Sequence, residues 1–595
     1  MCGIWGILSL EQIKINATEL YNKFNKIKHR GPDKSIYITN SNYTIGFHRL
    51  SIIDTSINGD QPFSISYYYT NKNGEQMLRT IYVIVNGEIY NYKLLKSVKN
   101  NLTIELNNYK YKSNSDCEVI ISLFLEIIKD EDYSNNIFEN GIEKLLNKLD
   151  GEFAFSIYDI HTNVNTNVTN YNLWIGRDRF GIRPLFYSEL DETTIIFGSE
   201  MKSINNVFNS NKVNVIEPRK WYYFGGNTND KILIKHSKSY YSIDNIPFNY
   251  QLTHLNIEDV YSSIRDLLTK SVISRMQSNR EIGCLLSGGL DSSLVSAIAA
   301  QELEKSGLKL KTFSIGSKNS PDVIHARIVA EHIGSIHTNI NIPVEELVES
   351  IKQVIYVTET FDKTTPRASI YQYAISKWIS ENTNIKVLLI GDGSDELTGG
   401  YLYFHKAPNP IEFDLECKRL LNDIHYFDVL RADRGVSSNG LEPRNAYLCH
   451  NFVEYYLSVP PELRIPTQHT LTNGKTHTYE KYLLRKSFNE TNLLPECVLW
   501  RFKEAMSDNM VSETKSLSQV IPEKINNEMT NEYYNDNIEK YNGFVKPNTK
   551  ESLYYHEIFD EMYPNQNHII PYYWMPKWVE NVTDPSARIL NVYKR

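Results

Sequence analysis

The sequence has few cysteines and no long apolar run. Its 595 residues include six cysteines, and no two of them form the CxxC pair that is typical of zinc and redox motifs. Cysteines this sparse favour a reducing compartment. No apolar run reaches the roughly 18 residues that a membrane span needs, and the first residues lack the basic segment of a secretory signal. The expected location is therefore cytoplasmic.

A basic excess is also absent. The formal net charge is −8 at pH 7, which gives no reason to expect a nucleic acid or an anionic membrane as a partner. Hydrophobic residues make up 41% of the chain, enough for a sizeable buried core. A prior of roughly 150 residues per domain suggests about four domains, but large α/β domains lower that number, and two are expected here.

The first part of the chain, up to residue 205, contains short β-branched and aromatic runs between turn signals. This pattern predicts mostly antiparallel strands. Helical periodicity at 118–129 and 141–149 indicates an α+β region rather than an all-β one. We therefore predict an N-terminal α+β domain over residues 2–205 and interpret the polar, aromatic residues 206–255 as a connector.

From residue 256 the pattern changes to alternating helices and short strands. Strands are predicted at 282–286, 311–315, 337–342 and 386–390. The alternation is typical of a parallel sheet covered by helices, so residues 256–595 are predicted to form an α/β domain. Gly-rich turns follow the first and the last of these strands, and ligands of such sheets bind beyond the carboxyl ends of the strands.

Cys2 directly follows Met1 and is small enough for Met1 to be removed. Removal would give Cys2 a free α-amine beside its thiol. An unperturbed α-amine has a pKa of about 7.7–8.0 and can accept the thiol proton near neutral pH, so nucleophile and base would share one residue. Taken alone, Cys2 is more simply explained as an ordinary buried thiol.

Cys2 is followed by a series of short motifs. They are Cys-Gly-Ile-Trp-Gly at 2–6, His-Arg-Gly-Pro-Asp at 29–33, Arg-Leu-Ser-Ile-Ile-Asp at 49–54, Asn-Gly-Glu-Ile-Tyr-Asn at 86–91 and Ser-Asp-Cys-Glu at 115–118. In this order they resemble the class II glutamine amidotransferases, which are N-terminal-nucleophile (Ntn) hydrolases. The resemblance implies an Ntn-hydrolase αββα sandwich that releases ammonia from glutamine.

The same resemblance implies a role for each matching residue. Cys2 would attack the glutamine side-chain amide, and Asn86 and Gly87 would form the oxyanion hole. The glutamine-binding residues would be Arg49, Asn86, Gly87, Glu88 and Asp116. The charges fit independently, because an arginine fork clamps a carboxylate and carboxylates accept from an ammonium. The alternative for Asn86-Gly87 is a type I′ hairpin turn.

The first Gly-rich turn, Ser-Gly-Gly-Leu-Asp-Ser-Ser at 287–293, lies between a strand and a helix. Its glycines let the backbone approach an anion, and the helix N-terminus adds free N–H groups and a positive dipole end. The turn lacks the Gly-Lys-Ser/Thr ending of a Walker A loop. It resembles the loop of N-type ATP pyrophosphatases, which release pyrophosphate; the alternative is a helix-capping turn. The implied ATP-binding residues are Leu286, Ser287, Gly288, Gly289, Asp291, Ser292, Ser293, Ile315, Ile390 and Gly391.

Further motifs surround the second Gly-rich turn. They lie at 358–369, 388–409, 480–485 and 573–588, and together they resemble the asparagine synthetase family. The resemblance implies that ATP adenylates aspartate and that ammonia then attacks the acyl-adenylate. Lys481 would neutralise charge, Asp291 and Asp395 would bind Mg²⁺, Asp392 would accept a proton, and Thr365 and Arg367 would shape the aspartate or intermediate pocket. ATP and Mg²⁺ are the implied cofactors.

Some residues depart from the family pattern. Asp392 stands where the family has Glu, and its side chain is one methylene shorter. A displacement near 1 Å can cost about a hundredfold in rate, so a slow synthetase is one expectation. Ile390 replaces a serine, and segments 441–449 and 500–510 also diverge.

Three functions are compatible with the sequence. The first is a glutamine-dependent ligase whose partners are aspartate, glutamine and ATP, with room for a homodimer. The second is a related ATP-dependent amide-forming enzyme with another acid substrate; its β-lactam synthetase-like members lack a working Cys2, so Cys2 argues against it. The third is a non-catalytic relative, which only Asp392 supports.

Overall fold

The structure is a computed structural model that describes residues 1–100, 109–128, 141–207, 211–253, 256–503, 515–580 and 582–583. The chain forms two compact units, Met1–Ser242 and Ile243–Arg595. Within the described ranges, no helix combines the length and the apolarity that crossing a membrane requires.

The N-terminal unit contains two antiparallel sheets. Its strands are β1 (Gly3–Ser9), β2 (Lys34–Thr39), β3 (Tyr43–Arg49), β4 (Phe63–Thr70), β5 (Gln76–Ile89), β6 (Gly151–Asn163), β7 (Thr169–Arg177), β8 (Phe186–Glu189), β9 (Thr194–Gly198), β10 (Asn214–Val215), β11 (Lys220–Asn227) and β12 (Ile234–Ser239). The strand orders are β10-β8-β9-β1-β3-β2 and β12-β11-β7-β6-β5-β4. The helices are α1 (Ala17–Asn25), α2 (Tyr92–Asn100), α3 (Val119–Ile127) and α4 (Ile142–Lys148).

The alternation of side chains along β5 shows how these layers pack. Ile84 belongs to a core shared with Ile4 of β1, between the two sheets. Its neighbours Val83 and Val85 belong to a second core that includes Phe124 of α3. Successive side chains of a strand point to opposite faces, so this sheet is covered by the other sheet on one face and by helices on the other. On the first sheet, Phe24 of α1 stacks on His48 of β3, with ring centroids 3.8 Å apart. The predicted αββα sandwich is confirmed.

The N-terminal unit extends beyond the expected boundary at 205. β10 pairs with β8 in the first sheet, and β11 pairs with β7 and β12 in the second. Much of the expected connector 206–255 is therefore part of the sandwich, which runs to Ser242. The sequence concealed this because β12 is an edge strand whose residues are all exposed, and an exposed edge carries no apolar alternation.

The C-terminal unit contains a parallel five-stranded sheet in the order β15-β14-β13-β16-β17. Its strands are β13 (Ile282–Leu285), β14 (Lys311–Ile315), β15 (Ile336–Ile340), β16 (Val387–Ile390) and β17 (Glu442–Asn445), and a separate hairpin joins β18 (Thr467–Thr470) to β19 (Thr476–Tyr479). The four predicted strands are present, and the parallel α/β architecture is confirmed. β17 was missed because its Pro443 argues against a strand, but proline is tolerated in an edge strand.

Helices surround this sheet. They are α5 (Ile257–Arg275), α6 (Leu290–Glu304), α7 (Pro321–His332), α8 (Val344–Glu349), α9 (Ile351–Thr358), α10 (Thr364–Asn382), α11 (Ser394–Thr398), α12 (Pro410–Asp423), α13 (Asp428–Ser437), α14 (His450–Ser458), α15 (Tyr482–Phe488), α16 (Glu496–Leu499), α17 (Leu517–Glu528), α18 (Asn531–Ile538) and α19 (Lys550–Met562). All four residues of β16 are buried, as expected for a parallel strand covered on both faces. Both Gly-rich turns therefore lie at the carboxyl edge of the sheet.

Candidate active sites

Cys2 lies immediately before β1 and is half-buried. The Nε of Arg30 donates to the Cys2 carbonyl oxygen at 2.9 Å, and Arg30 is fully buried. Arg30 is held in turn by Glu200, whose Oε1 lies 2.7 Å from the Arg30 Nη1. The backbone of Cys2 is thus fixed by a buried ion pair from two distant segments of the unit.

Glu200 contacts several basic side chains. It pairs with Lys202 and with His29, whose Nε2 lies 3.1 Å from the Glu200 Oε2. Burial opposes ionisation of Glu200, but Lys202, His29 and Arg30 outweigh that effect and hold its pKa well below the ordinary value. The carboxylate therefore stays charged, and His29 has a partner in Glu200.

Asn86 and Gly87 lie inside β5, where they pair with Ala154 and Phe153 of β6. The hairpin-turn alternative is therefore wrong. Asn86 is fully buried, and neither its Nδ2 nor its Oδ1 has a hydrogen-bond partner in the described part of the chain. Buried polar groups almost always have partners, so an unsatisfied amide here indicates a place for a ligand group.

Gly87 occupies a conformation that favours glycine. Its φ is +145°, and a Cβ at this position would lie 2.0 Å from the Glu152 carbonyl oxygen. Gly87→Ala is therefore expected to distort this part of β5 and to lower glutamine hydrolysis at least about tenfold, since non-glycine backbone strain costs about 1–3 kcal/mol. Steady-state glutaminase assays would measure the loss. Gly74→Ala is the control, because a Cβ there meets nothing within 4 Å although its φ is also positive. Equal activity of the two variants would contradict the prediction.

The carboxylates predicted to bind glutamine lie next to the same strand. The Oδ2 of Asp116 accepts from the Ile89 backbone N–H at 2.6 Å, and Glu88 is 4% exposed. Burial raises the pKa of Tyr92, and the charges of Asp116 and Glu88 raise it further. The charges of both carboxylates therefore act on the phenol of Tyr92, a residue that no sequence motif had indicated.

Arg49 is engaged within its own loop. Its Nη1 donates to Asp60 at 2.6 Å and to the Ser56 carbonyl at 2.7 Å, and its Nη2 donates to the Asp54 carbonyl. Asp54 also accepts from the Asn114 backbone N–H at 2.7 Å. Arg49 therefore organises a loop that contacts the segment carrying Asp116. A glutamine carboxylate could bind only those N–H groups of Arg49 that do not take part in these hydrogen bonds.

In the C-terminal unit, a cavity of about 240 Å³ opens at the carboxyl ends of β13 and β16. The predicted residues that line it are Ser287, Gly289, Asp291, Ser292, Thr365, Arg367, Ile390, Gly391, Asp392, Asp395 and Lys481. A smaller cavity of about 40 Å³ is lined by Leu286, Ser287 and Ile315. Gly288 and Ser293 are in neither lining. The structure therefore brings together most of the predicted ATP, metal and aspartate residues.

The Ser-Gly-Gly turn has the predicted strand–loop–helix form. β13 ends at Leu285, and α6 begins at Leu290 with Gly289 as its N-cap. The Ser287 and Ser292 hydroxyl oxygens lie 2.9 Å apart and brace the turn. The first backbone N–H groups of α6 face this cavity edge, where a helix N-terminus favours phosphate.

Two aspartates converge on one lysine in the cavity. The Lys481 Nζ lies 2.6 Å from the Asp291 Oδ2 and also pairs with Asp395. Asp395 pairs in addition with Lys503. Burial raises the pKa of Asp395, but the two lysines outweigh it and hold the pKa below the ordinary value. Two carboxylates that share one lysine provide the oxygen donors that Mg²⁺ prefers.

Asp392 also lines the cavity and is paired with Arg431, which binds Asp428 as well. The Gln372 Nε2 lies 3.4 Å from both carboxylate oxygens of Asp392. Burial raises the pKa of Asp392, while the Arg431 charge lowers it and the Asp428 charge raises it. The net shift is upward, so the carboxylate is a stronger base than an ordinary aspartate.

Thr365 and Arg367 line the cavity but already have partners. The backbone N–H and the hydroxyl of Thr365 donate to the Asp362 Oδ2, each at 2.9 Å. The Nε of Arg367 donates to the Glu551 Oε1 at 2.6 Å, and its Nη2 pairs with the other oxygen. The charge of Arg367 is therefore neutralised by Glu551, so this arginine is not arranged as an open carboxylate clamp.

Sequence reasoning missed several charged groups of this cavity. Arg501 pairs with Asp322 and donates to the Gly288 carbonyl oxygen at 3.1 Å. The N-cap of α7, which carries Asp322 in its first turn, is Ser320, whose hydroxyl accepts from the Val323 backbone N–H. The basic pattern of Arg501 and Lys503, two residues apart, was the available signal. Residues 504–510 of the divergent segment and the motif at 584–588 lie outside the described residues.

A family model described as a glutamine amidotransferase domain matches residues 1–238, and one described as asparagine synthase matches residues 263–415 and 411–587. The proteins named glutamine-hydrolysing asparagine synthetase from Gallus gallus and Homo sapiens are 38% and 36% identical to this chain over 611 residues, with 100% of this chain and 99% of each relative covered. A glutamine phosphoribosylpyrophosphate amidotransferase structure from B. subtilis covers 58% of this chain and 82% of its own at 16% identity, but its TM-score of 0.28 carries no argument.

The fold and the two sites define an amidotransferase, in which an Ntn-type glutaminase unit and an ATP-dependent synthetase unit share one chain. The matched family models and the full-length relatives identify the family within this class. The chain belongs to the asparagine synthetase family.

Proposed function

We propose that the protein forms asparagine and glutamate from aspartate and glutamine, with ATP converted to AMP and pyrophosphate. The observation that carries the proposal is the occurrence of two features in one chain. One is the buried Asn86 amide, which has no partner among the described residues, and the other is the aspartate pair Asp291 and Asp395 bridged by a lysine. The first suits an oxyanion, and the second suits the phosphates and metal of a nucleotide.

In the glutaminase unit, removal of Met1 would free the Cys2 α-amine, which takes the thiol proton as the sulfur attacks the glutamine amide carbon. The Asn86 Nδ2 and the Gly87 backbone N–H then donate to the tetrahedral oxyanion, a contribution worth about 2.7–4 kcal/mol per donor in other enzymes. Collapse of this intermediate breaks the C–N bond and releases ammonia. Water hydrolyses the remaining thioester to glutamate.

In the synthetase unit, the side-chain carboxylate of aspartate would attack the α-phosphorus of ATP, and pyrophosphate would leave. This step joins two anions, so Lys481 and Lys503 neutralise charge in the cavity. Asp291 and Asp395 would hold Mg²⁺, which supplies Lewis-acid charge neutralisation when bound. Ammonia then attacks the acyl carbon, Asp392 accepts a proton, and AMP leaves with the formation of the amide bond.

Product analysis tests the proposal. Purified protein with aspartate, glutamine and Mg-ATP is expected to give AMP, pyrophosphate, glutamate and asparagine together. Formation of ADP, or absence of AMP, would contradict it. A pyrophosphate-release screen across other carboxylic acids separates this function from amide formation on another substrate, because the proposed enzyme responds to aspartate first.

Asp392→Asn is expected to lower asparagine formation from ammonium ions by about a hundredfold, since it removes the proton acceptor, while glutamine hydrolysis stays at the wild-type level. The pKa of Asp392 is raised, so this carboxylate takes up a proton at a higher pH than an ordinary aspartate, whose pKa is about 3.9. As the pH is lowered, the synthetase rate of the wild type should therefore fall before the pH reaches that ordinary value. The pH profile of kcat/KM for aspartate measures this. Asp392→Glu keeps the proton acceptor and should stay active. An Asp392→Asn variant with wild-type activity would contradict the role of Asp392 as proton acceptor.

A further inference from the structure

Beyond Val83, β5 has lost its neighbour β4, because the pairing of these strands ends at Phe63 and Val83. In an antiparallel strand, alternate residues direct both backbone groups to the same edge, so Val85, Gly87 and Ile89 face the side that β4 leaves open. Side chains take the place of the missing strand there. The Gln61 Oε1 accepts from the Val85 N–H at 2.6 Å, and the Gln61 Nε2 donates to the Val85 carbonyl at 3.2 Å.

Side chains also bond the backbone of β5 farther along this edge. The Asp116 carboxylate accepts from the Ile89 N–H at 2.6 Å. Between these positions, the Cys117 thiol lies 3.3 Å from the Gly87 carbonyl oxygen. The Gly87 N–H, the proposed oxyanion donor, thus lies between backbone groups that Gln61, Cys117 and Asp116 hold in place.

Cys117 is suited to donate this bond. Its side chain is 3% exposed, and it lies in the turn directly before the N-cap of α3. Burial raises the pKa of the thiol well above its ordinary value, and the charges of Asp116 and Glu88 raise it further. The thiol therefore keeps its proton. The Asp116 Oδ2 lies farther away, at 3.5 Å, and already accepts from Ile89, so the single S–H proton has its better acceptor at Gly87.

We propose that Cys117 is a positioning residue of the glutaminase site, whose S–H fixes the Gly87 carbonyl and so aims the neighbouring Gly87 N–H at the oxyanion. Gly87 needs such a restraint because glycine has the greatest backbone freedom of any residue. The adjoining Asn86 amide is buried and has no partner within the described ranges, which marks the same place for a ligand oxygen. The chain would then use two thiols in one site differently: Cys2 loses its proton to react, and Cys117 keeps its proton to hold the backbone.

The test compares Cys117→Ala, Cys117→Ser and Ile121→Val. The alanine variant loses the donor, the serine variant retains one, and Ile121→Val removes a methylene from the same buried core as a packing control. Cys117→Ala is expected to lower kcat for glutamine hydrolysis about threefold to tenfold with little change in KM, the size of effect that one neutral hydrogen bond supports. Cys117→Ser should recover to within about twofold of wild type, and Ile121→Val should not change kcat.

A binding measurement separates positioning from packing. The γ-semialdehyde of glutamate adds to the Cys2 thiol to form a tetrahedral adduct with an oxyanion, whereas glutamate binds without one. Cys117→Ala should weaken inhibition by the aldehyde by the same factor as kcat and leave inhibition by glutamate unchanged. Equal weakening of both inhibitors, or a kcat equal to that of Ile121→Val, would overturn the inference.

The inference rests on the proposed function, and the two can fail separately. A wild-type protein that does not hydrolyse glutamine would remove the proposed function itself. A wild type that hydrolyses glutamine, with a Cys117→Ala variant of equal kcat, would remove only the role of Cys117. Ammonia-dependent AMP formation in every variant verifies that the chain is folded.

Discussion

Replacing Cys2 by alanine is expected to abolish glutamine-dependent asparagine formation and to leave formation from ammonium ions unchanged. The sulfur is the only nucleophile proposed for the amide carbon, and loss of a nucleophile that acts as part of a unit costs at least about a thousandfold. The synthetase residues all belong to the other compact unit, so their chemistry does not depend on this sulfur. Parallel assays of asparagine from glutamine and from ammonium chloride would measure both effects.

Cys497→Ala provides the matched control for Cys2→Ala, because Cys497 is an exposed thiol in the C-terminal unit. It should retain both activities. Glutamine-dependent synthesis in the Cys2→Ala variant would refute the proposed glutaminase mechanism. Loss of both activities would instead show that this substitution damages the fold, and a thermal melt would reveal that.

Lys481→Ala is expected to lower asparagine formation from either nitrogen source by about 10²- to 10³-fold, the loss typical of removing one electrostatic donor from a reacting centre. Its ammonium joins Asp291 and Asp395, and without it these carboxylates repel each other and the incoming phosphates. Glutamine hydrolysis should continue. The measurement is AMP formation with saturating ammonium ions, alongside glutamate release.

Lys577→Ala is the control for this substitution, because Lys577 is a partly exposed lysine of the same unit that pairs with Glu412 outside the cavity. It should leave AMP formation unchanged. Lys503→Ala should have a smaller effect than Lys481→Ala, since the Lys503 side chain, which pairs with Asp395, is 26% exposed and that of Lys481 only 2%. A Lys481→Ala variant that forms AMP at the wild-type rate would exclude this lysine from the chemistry.

The Ser-Gly-Gly turn shows what local sequence can predict. An apolar strand, two glycines and a helix occur within residues 282–304, and each element is specified by its own residues. The parallel sheet followed from repeating that pattern. The strand predictions also placed Asp291, Asp392 and Asp395 after strands of this sheet, whereas Lys481 came from the family resemblance.

Local sequence could not decide the features that depend on distant segments. Asn86-Gly87 is a turn sequence by local chemistry, but β6 pairs with it and makes it a strand. Arg367 was expected to shape the aspartate or intermediate pocket, and its partner Glu551, 184 residues away, could not be predicted. Arg431 reaches Asp392 from 39 residues away. No pattern within a short window contains these partners, so only the folded chain reveals them.

The attachment of Cys2 has a consequence for maturation. Arg30 grips the carbonyl of Cys2, on the far side of the peptide bond that an aminopeptidase would cut. Met1 is itself fully buried, so its removal would leave space beside Cys2 without breaking the hydrogen bond from Arg30. Removal of Met1 would thus create both the free α-amine and space for a substrate, while Cys2 keeps its position.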